Sequence, residues 1–274
     1  MSLRSGVVDR VPYSLSRWTD LPVSKWSWFK SCLELRQMVA IDPRTASPSV
    51  WSLSPADTLG LIFWTKNPTN LLLDQKLLDP YRTVVQMTIT GWGEVEKGAP
   101  SLDEAGRLLI ETSRAYEHTY WRFSPIPQLP EHELYSRFQR LLAYASIAGL
   151  RHVFVSYLQN NDGLPETRGV SERFDLLNAL SEEAKVFGLQ TILCADDQSF
   201  IHHSGALFRT GACVFPTDFD GSSHVMDCGC VVAIDPFTVN ESCNYGCAYC
   251  YVGDKTLSPK KRNTTPSRLP VTRG

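Results

Sequence analysis

The sequence predicts an α/β protein built on a full or partial parallel (β/α) barrel. Three observations carry that expectation. Short, almost continuously apolar runs recur along the chain, as strands covered on both faces require. Longer amphipathic segments separate them, and this alternation generates parallel sheets. No GxGxxG turn follows any strand, which favours a barrel over a doubly wound dinucleotide-binding sheet. GWGEVEKGAP at 91–100 comes nearest, but its spacing is wrong. The length of 274 residues suits a barrel, which takes about 250.

Taken in order, the expected strands are 11–17, 38–42, 59–65, 83–90, 119–123, 152–158, 190–194 and 231–235. Helices are expected at 22–36, 70–79, 101–115, 131–148, 171–187 and 199–208. Pro22, just after Asp20, and Ser101, ahead of Asp103 and Glu104, are start signals. Gly149 and Gly188 sit where helices should end. One domain is expected over 1–254, with a cysteine-rich region at 190–251. The remainder, 255–274, holds Lys255, Lys260, Lys261, Arg262, Arg268 and Arg273 and no acid, and its Pro, Ser and Thr content predicts a disordered basic tail.

Composition narrows the function. Apolar residues make up 43% and charged residues 20%, enough for a sizeable core. The net charge is −2, which argues against wrapping nucleic acid by bulk positive charge. The apolar run LGLIFW at 59–64 is far too short to span a bilayer, and MSLRSGVVDRVPYS lacks the apolar stretch of a secretion signal. A cytoplasmic protein with no membrane partner is expected.

In a reducing compartment, eight cysteines read as metal ligands before they read as disulfides. Seven lie beyond residue 190, whereas structural thiols would be scattered. Cys243, Cys247 and Cys250 form a C-x₃-C-x₂-C loop after strand 231–235, with Tyr249 before the third cysteine and Gly246 permitting a tight path. Three thiolates can hold three irons of a [4Fe–4S] cube and leave one iron open. A structural zinc knot is the competing reading, although zinc wants four ligands in paired half-sites. Cys194, Cys213, Cys228 and Cys230 make a complete set for a second, fully ligated [4Fe–4S] cluster, with a zinc ion or unligated core thiols as alternatives. Cys32, near Trp28, Leu33 and Leu35, suits a buried structural thiol.

CNYGCAYC after a strand resembles the signature of the radical S-adenosylmethionine (SAM) superfamily. The resemblance implies that SAM binds the open iron, and that an electron from a donor such as flavodoxin or ferredoxin cleaves it to a 5′-deoxyadenosyl radical. That radical then abstracts hydrogen from a substrate. The superfamily places this motif near the start of its barrel, and here it lies near the end. YSLSRWTDLPVSKWSWF, IFWTKNP, QMTITGWG, YWRFSPI and CGC…CNYGCAYCY also resemble, in the same order, a bacterial family known only as a domain of unknown function. A circularly permuted barrel follows, with strand 231–235 as the first strand and 11–17 as its neighbour.

Under that alignment Arg17, Thr88, Thr90, Arg122 and Ser156 surround the mouth where SAM would bind. Arg122 would pair with the SAM carboxylate or form a barrel-end ion pair. Tyr249 would pack on adenine or anchor its loop. Asp20 reads as a helix cap before a catalytic acid, and Lys66 and Asn67 as substrate contacts or an ordinary turn. His202 and His203 read as surface residues. Two function classes stay open. One is a radical SAM enzyme that modifies or isomerises its substrate, with a nucleobase, nucleoside or DNA side group as one class. The other is a metal-stabilised protein, zinc or Fe–S, that binds nucleic acid or transfers electrons without catalysis. Trp18, Trp26 and Trp28 and the basic tail bear on the nucleic-acid readings.

Overall fold

The structure is a computed structural model describing residues 10, 12–16, 20–42, 47–158, 164–194, 205–219, 225–226, 229–234, 245 and 247–249. Its strands are β1 (Tyr13–Ser14), β2 (Gln37–Asp42), β3 (Ser47–Ser52), β4 (Leu61–Thr65), β5 (Thr83–Thr88), β6 (His118–Phe123), β7 (His152–Val155), β8 (Gln190–Cys194) and β9 (Arg209–Gly211). Its helices are α1 (Leu21–Ser24), α2 (Trp26–Leu35), α3 (Thr69–Leu73), α4 (Gln75–Leu78), α5 (Leu102–Ala115), α6 (Glu131–Ile147) and α7 (Val170–Val186). Seven strands form one curled parallel sheet in the order β1-β4-β5-β6-β7-β8-β9, a partial β/α barrel.

Strand β6 illustrates how the sequence builds two faces. Thr119, Trp121 and Phe123 are buried, and the intervening His118, Tyr120 and Arg122 are half-buried. The first set points outward beneath the helices: Trp121 and Phe123 lie 5.5 and 4.9 Å, ring to ring, from Phe138 of α6. The second set points into the curl, where the Tyr120 ring meets Phe154 of β7 at 5.5 Å and its hydroxyl donates to Asp218 at 2.6 Å. The start and stop signals hold. Ser101 Oγ accepts from the Glu104 amide at 3.3 Å, and Gly149 and Gly188 end their helices at φ +72° and +78°.

Several expectations need correction. The helices expected at 22–36 and 70–79 are each interrupted, at Lys25 and Asp74, and form α1 with α2 and α3 with α4. Strand 38–42 exists as β2, but it pairs antiparallel with β3 in a separate hairpin and is absent from the parallel sheet. A two-residue apolar period fits any half-buried strand, and in this hairpin the paired Val39 and Val50 are both exposed. The helix expected at 199–208 is not found where it can be described, since 205–208 are non-helical and lead into the short edge strand β9. Of the strand expected at 11–17, residues 12–16 are described, and of these Tyr13–Ser14 form β1.

Of the segment expected as strand 231–235, the described residues 231–234 make single bridges, and these fall where a closing strand would lie. Ile234 pairs parallel with Tyr13, accepting from the Ser14 amide at 2.8 Å and donating to Pro12 O at 3.0 Å. At the other side, the Val231 amide donates to Val214 O at 3.2 Å, just beyond β9. The segment therefore touches the open edge of β1 and the chain beyond β9, which makes it the expected neighbour of β1. Inside the curl, Ile62, Val84, Phe154, Ile192, Cys194, Cys213, Val214, Phe219, Cys230 and Val231 form one apolar cluster. No helix among the described residues is long and apolar enough to cross a membrane. The 255–274 segment lies outside the described residues.

Candidate active site

Parallel strands present their C-terminal ends on one side of a sheet, and barrel enzymes carry their chemistry there. At that side, the chain following β1 supplies Asp20, the chain following β4 supplies Lys66, and the loop after β5 supplies Thr90, Trp92 and Glu96. The cysteine loop docks on this end. The Tyr245 carbonyl accepts from the Gly98 amide at 3.3 Å, and the Ala248 amide donates to Val95 O at 3.0 Å. Tyr249 stacks on Trp92 with ring centroids 5.6 Å apart at 17°.

A buried charge cluster fixes the loop. Lys66 Nζ lies 2.5 Å from Glu96 Oε1 and donates to the Tyr249 hydroxyl at 2.9 Å. The Tyr249 hydroxyl in turn donates to Glu96, and Thr90 Oγ1 donates to the other Glu96 oxygen at 2.6 Å. Burial opposes both charges, yet Lys66 is held above the ordinary lysine range by Glu96 and then by the Cys247 sulfur. Glu96, also working against burial, is held below the carboxylate range by Lys66. Tyr249 also bonds the Cys247 sulfur, so that atom sits beside a cation and a phenol. Asp20 holds the N-cap position of α1, its backbone carbonyl accepting from the Val23 and Ser24 amides at 3.1 and 2.8 Å, but its side chain caps no helix amide. Its carboxylate accepts from Thr65 Oγ1 at 2.7 Å and from the Lys66 amide at 2.7 Å. Burial pushes its pKa up to about 6 despite these bonds.

A second group lies inside the curl. Cys213 Sγ is 3.5 Å from Cys230 Sγ, and the Cys213 amide donates to Cys230 Sγ at 3.1 Å. Cys194, ending β8, hydrogen-bonds both, which holds its thiol well below the usual range. Arg122 stacks on the Trp64 ring at 4.7 Å with Nη1 4.0 Å from Cys194 Sγ. Burial opposes the Arg122 charge, but Cys213 and Cys194 more than offset it. As the side chains stand, no three or more His, Cys, Asp or Glu among the described residues are arranged to hold a metal.

The expected site residues divide accordingly. Cys247, Tyr249 and Thr90 share one cluster, and Cys194, Cys213 and Cys230 contact one another beside Arg122. Thr88, half-buried at the end of β5, pairs in register with Arg122. Ser156 bonds Ser124 through its hydroxyl and accepts from the Ile126 amide at 2.8 Å through its carbonyl. Lys66 belongs to the charge cluster, whereas Asn67 Oδ1 bonds the Thr69 amide at 3.0 Å, the turn role weighed for it. Cys32 is buried, and that burial raises its thiol to about 11, which suits a structural role. Cys228, Cys243, Cys250, Arg17, Trp18, His202 and His203 lie outside the described residues. Sequence reasoning missed Glu96, Trp92 and Gln86. The first two follow the end of β5, where strand-end polarity was the available signal. Gln86 is fully buried inside the curl and donates to Cys213 O, while its Oε1 has no hydrogen-bond partner among the described residues.

A family model described as a domain of unknown function (DUF1848) matches residues 13–252. No curated protein matches the chain. Among solved structures, IolI protein with a bound zinc atom is similar at 19% identity and TM-score 0.33, over 49% of this chain and 51% of that one. The chain thus spans about half the length of IolI. A putative phosphonomutase from Burkholderia cenocepacia J2315 is similar at 10% identity and TM-score 0.39, over 70% of this chain and 79% of that one.

Proposed function

The match over residues 13–252 makes the chain a member of the DUF1848 family, and on that premise we propose that it is a radical SAM enzyme that modifies or isomerises its substrate. One observation carries the reading. The C-x₃-C-x₂-C loop is clamped through Tyr249 to the C-terminal end of a parallel sheet, with Cys247 beside a buried lysine. A metal knot that only stabilised a fold would not need that end of a curled sheet.

The residues suit a thiolate-held cluster. A ligating cysteine must lose its proton, and the nearby Lys66 charge and the Tyr249 hydroxyl both favour the thiolate of Cys247. Cys243, Cys247 and Cys250 would hold the group. A [4Fe–4S] cluster with one open iron supplies, when bound with SAM, the electron that breaks the SAM sulfur–carbon bond. Lys66, Glu96 and Thr90 hold the loop rigid over the strand ends, and Trp92 backs the Tyr249 ring. Their near-complete burial keeps water from the base of the site, which protects reactive intermediates.

Thr88 and Ser156, at the strand ends, are proposed to contact SAM or substrate, with Arg122 as the cation available to a carboxylate. A small reductant protein such as flavodoxin or ferredoxin is the proposed electron donor, and the cytoplasm the proposed compartment. A nucleobase or DNA side group is one substrate class. Electron paramagnetic resonance of the anaerobically reconstituted, reduced protein tests the reading. Adding SAM should shift the cluster signal, because SAM binds the open iron. A cluster signal indifferent to saturating SAM would contradict it and favour an electron-transfer protein.

A further inference from the structure

We propose that Cys213 and Cys230 are a modification site: a redox-active pair that hydrogen peroxide closes to a disulfide, stapling the segment that completes the curl. The proposal is independent of how the Cys247 loop is read.

Two segments bring these sulfurs together: the chain just past β9 and the turn before Val231. Cys213 Sγ stands 3.5 Å from Cys230 Sγ. A disulfide holds its sulfurs about 2.05 Å apart, so closure asks each to move by about 0.7 Å, which side-chain rotation covers. The two backbones are already joined at these positions. The Cys213 amide donates to Cys230 Sγ at 3.1 Å, and the Val231 amide donates to Val214 O at 3.2 Å. The turn is built tightly around Cys230: Gly229 adopts φ +82°, its amide donates to Met226 O at 2.7 Å, and the Met226 amide donates to Cys230 O at 2.7 Å. Cys194 hydrogen-bonds both sulfurs, but it ends β8 with Gly211 as its register partner. The covalent bond is therefore assigned to Cys213 and Cys230.

The surroundings select the oxidant. The two residues lie in the apolar cluster inside the curl and are only 5% and 3% exposed. A bulky disulfide cannot reach them, whereas peroxide is little larger than water. Arg122, flat on Trp64 with Nη1 4.0 Å from Cys194 Sγ, places a cation beside this group of sulfurs, and a cation favours the reactive thiolate. The Cys230 sulfur, which the Cys213 amide holds, attacks one peroxide oxygen and the O–O bond breaks. The sulfur becomes a sulfenic acid, and the departing hydroxide leaves as water with the proton that Cys230 gave up. The Cys213 sulfur then attacks the sulfenic sulfur. The S–S bond forms, the S–O bond breaks, and hydroxide leaves with the Cys213 proton as a second water. Two electrons pass from the sulfurs to the peroxide, and an added thiol reverses the bond by exchange. The bond joins positions 17 apart and ties the chain past β9 to the segment whose Ile234 bridges Tyr13 of β1. Oxidation thus pins the segment that spans the gap between the two sheet edges.

The test treats the full, reduced chain with hydrogen peroxide, caps the remaining thiols and digests it with an aspartate-directed protease. Asp196, Asp218, Asp220 and Asp227 part Cys194, Cys213 and Cys230 onto separate peptides, and fragmentation distinguishes Cys230 from Cys228. Mass spectrometry should find the Cys213 peptide joined to Cys230 and freed by dithiothreitol. Hydrogen exchange at the Val231 amide should slow by about tenfold or more in the oxidised chain and recover on reduction, because the closed loop restricts opening. Cys213→Ser should show neither change, and Cys32→Ser should show both. Both thiols still capped after peroxide, a bond to Cys194 or Cys228 instead, or oxidation that runs on to sulfinic acid would overturn the pairing without any reliance on the serine variants. A Cys213–Cys230 bond that leaves Val231 exchange unchanged would overturn the staple.

Discussion

Removing the Lys66 charge should undock the cysteine loop. Lys66 and Glu96 meet at 2.5 Å with side chains only 12% and 4% exposed, so solvent screens them little. Deleting one partner of such a buried pair costs about 3–5 kcal/mol, because the other charge stays buried. Lys66→Met leaves the Glu96 carboxylate with only the Thr90 and Tyr249 hydroxyls. If Lys66→Met and Glu96→Gln each cost about 3–5 kcal/mol independently, the double variant would lose an amount comparable to a whole domain's stability. If the pair acts as a unit, the double variant costs about as much as one single, a coupling of about 3 kcal/mol, at the upper end for contacting groups. Native-state hydrogen exchange at the Gly98 and Ala248 amides reads the docking directly, since both bond across the loop. A loss of about 3 kcal/mol speeds their exchange roughly 100-fold. Exchange within threefold of the parent in Lys66→Met, or strictly additive losses, would refute the clamp.

Asp20 predicts a pH dependence. Its folded pKa of about 6 lies above the unfolded value near 3.8, so the native state holds the proton more tightly. The stability from this group is complete below about pH 4 and is lost as pH rises through about 6, by about 3 kcal/mol. Denaturant titrations between pH 4 and 7 should show that loss, and Asp20→Asn should flatten it; an unchanged slope in the variant rejects the assignment. Gly60→Ala should destabilise the fold by roughly 1–3 kcal/mol. A Cβ there would stand 2.3 Å from the Arg82 carbonyl oxygen and 2.5 Å from the Phe219 ring, and the first is backbone that cannot swing away. A melting temperature equal to the parent's would contradict that packing.

The sequence signalled elements wherever burial was two-sided. The runs around Leu61, Val84 and Ile192 are nearly all apolar because the sheet is covered outside by helices and filled inside, and all three are parallel strands. Strands β3 and β9 were invisible for the opposite reason: SPSVWS and RTG are largely exposed and carry no apolar run. β2 was legible as a strand and misplaced in the sheet, because local alternation does not encode its partner. In the site, Cys247 and Tyr249 declared themselves by spacing. Glu96 did not, since an acid in a Gly-rich loop reads as solvated, and its partners include Lys66 and Tyr249, the latter 153 residues away. Arg122 was legible as a strand-end cation, but its company of Cys194 and Cys213 depends on tertiary convergence that no local pattern records.

The most direct test of the central claim is whether the reduced protein cleaves SAM. Anaerobically reconstituted chain, a strong one-electron reductant and SAM are incubated together, and 5′-deoxyadenosine is quantified by liquid chromatography and mass spectrometry. Multiple turnovers or at least stoichiometric 5′-deoxyadenosine are expected from the parent chain and none above background from Cys247→Ala. Absence of the product from a parent chain carrying a full four-iron complement, or equal product from Cys247→Ala, would contradict it.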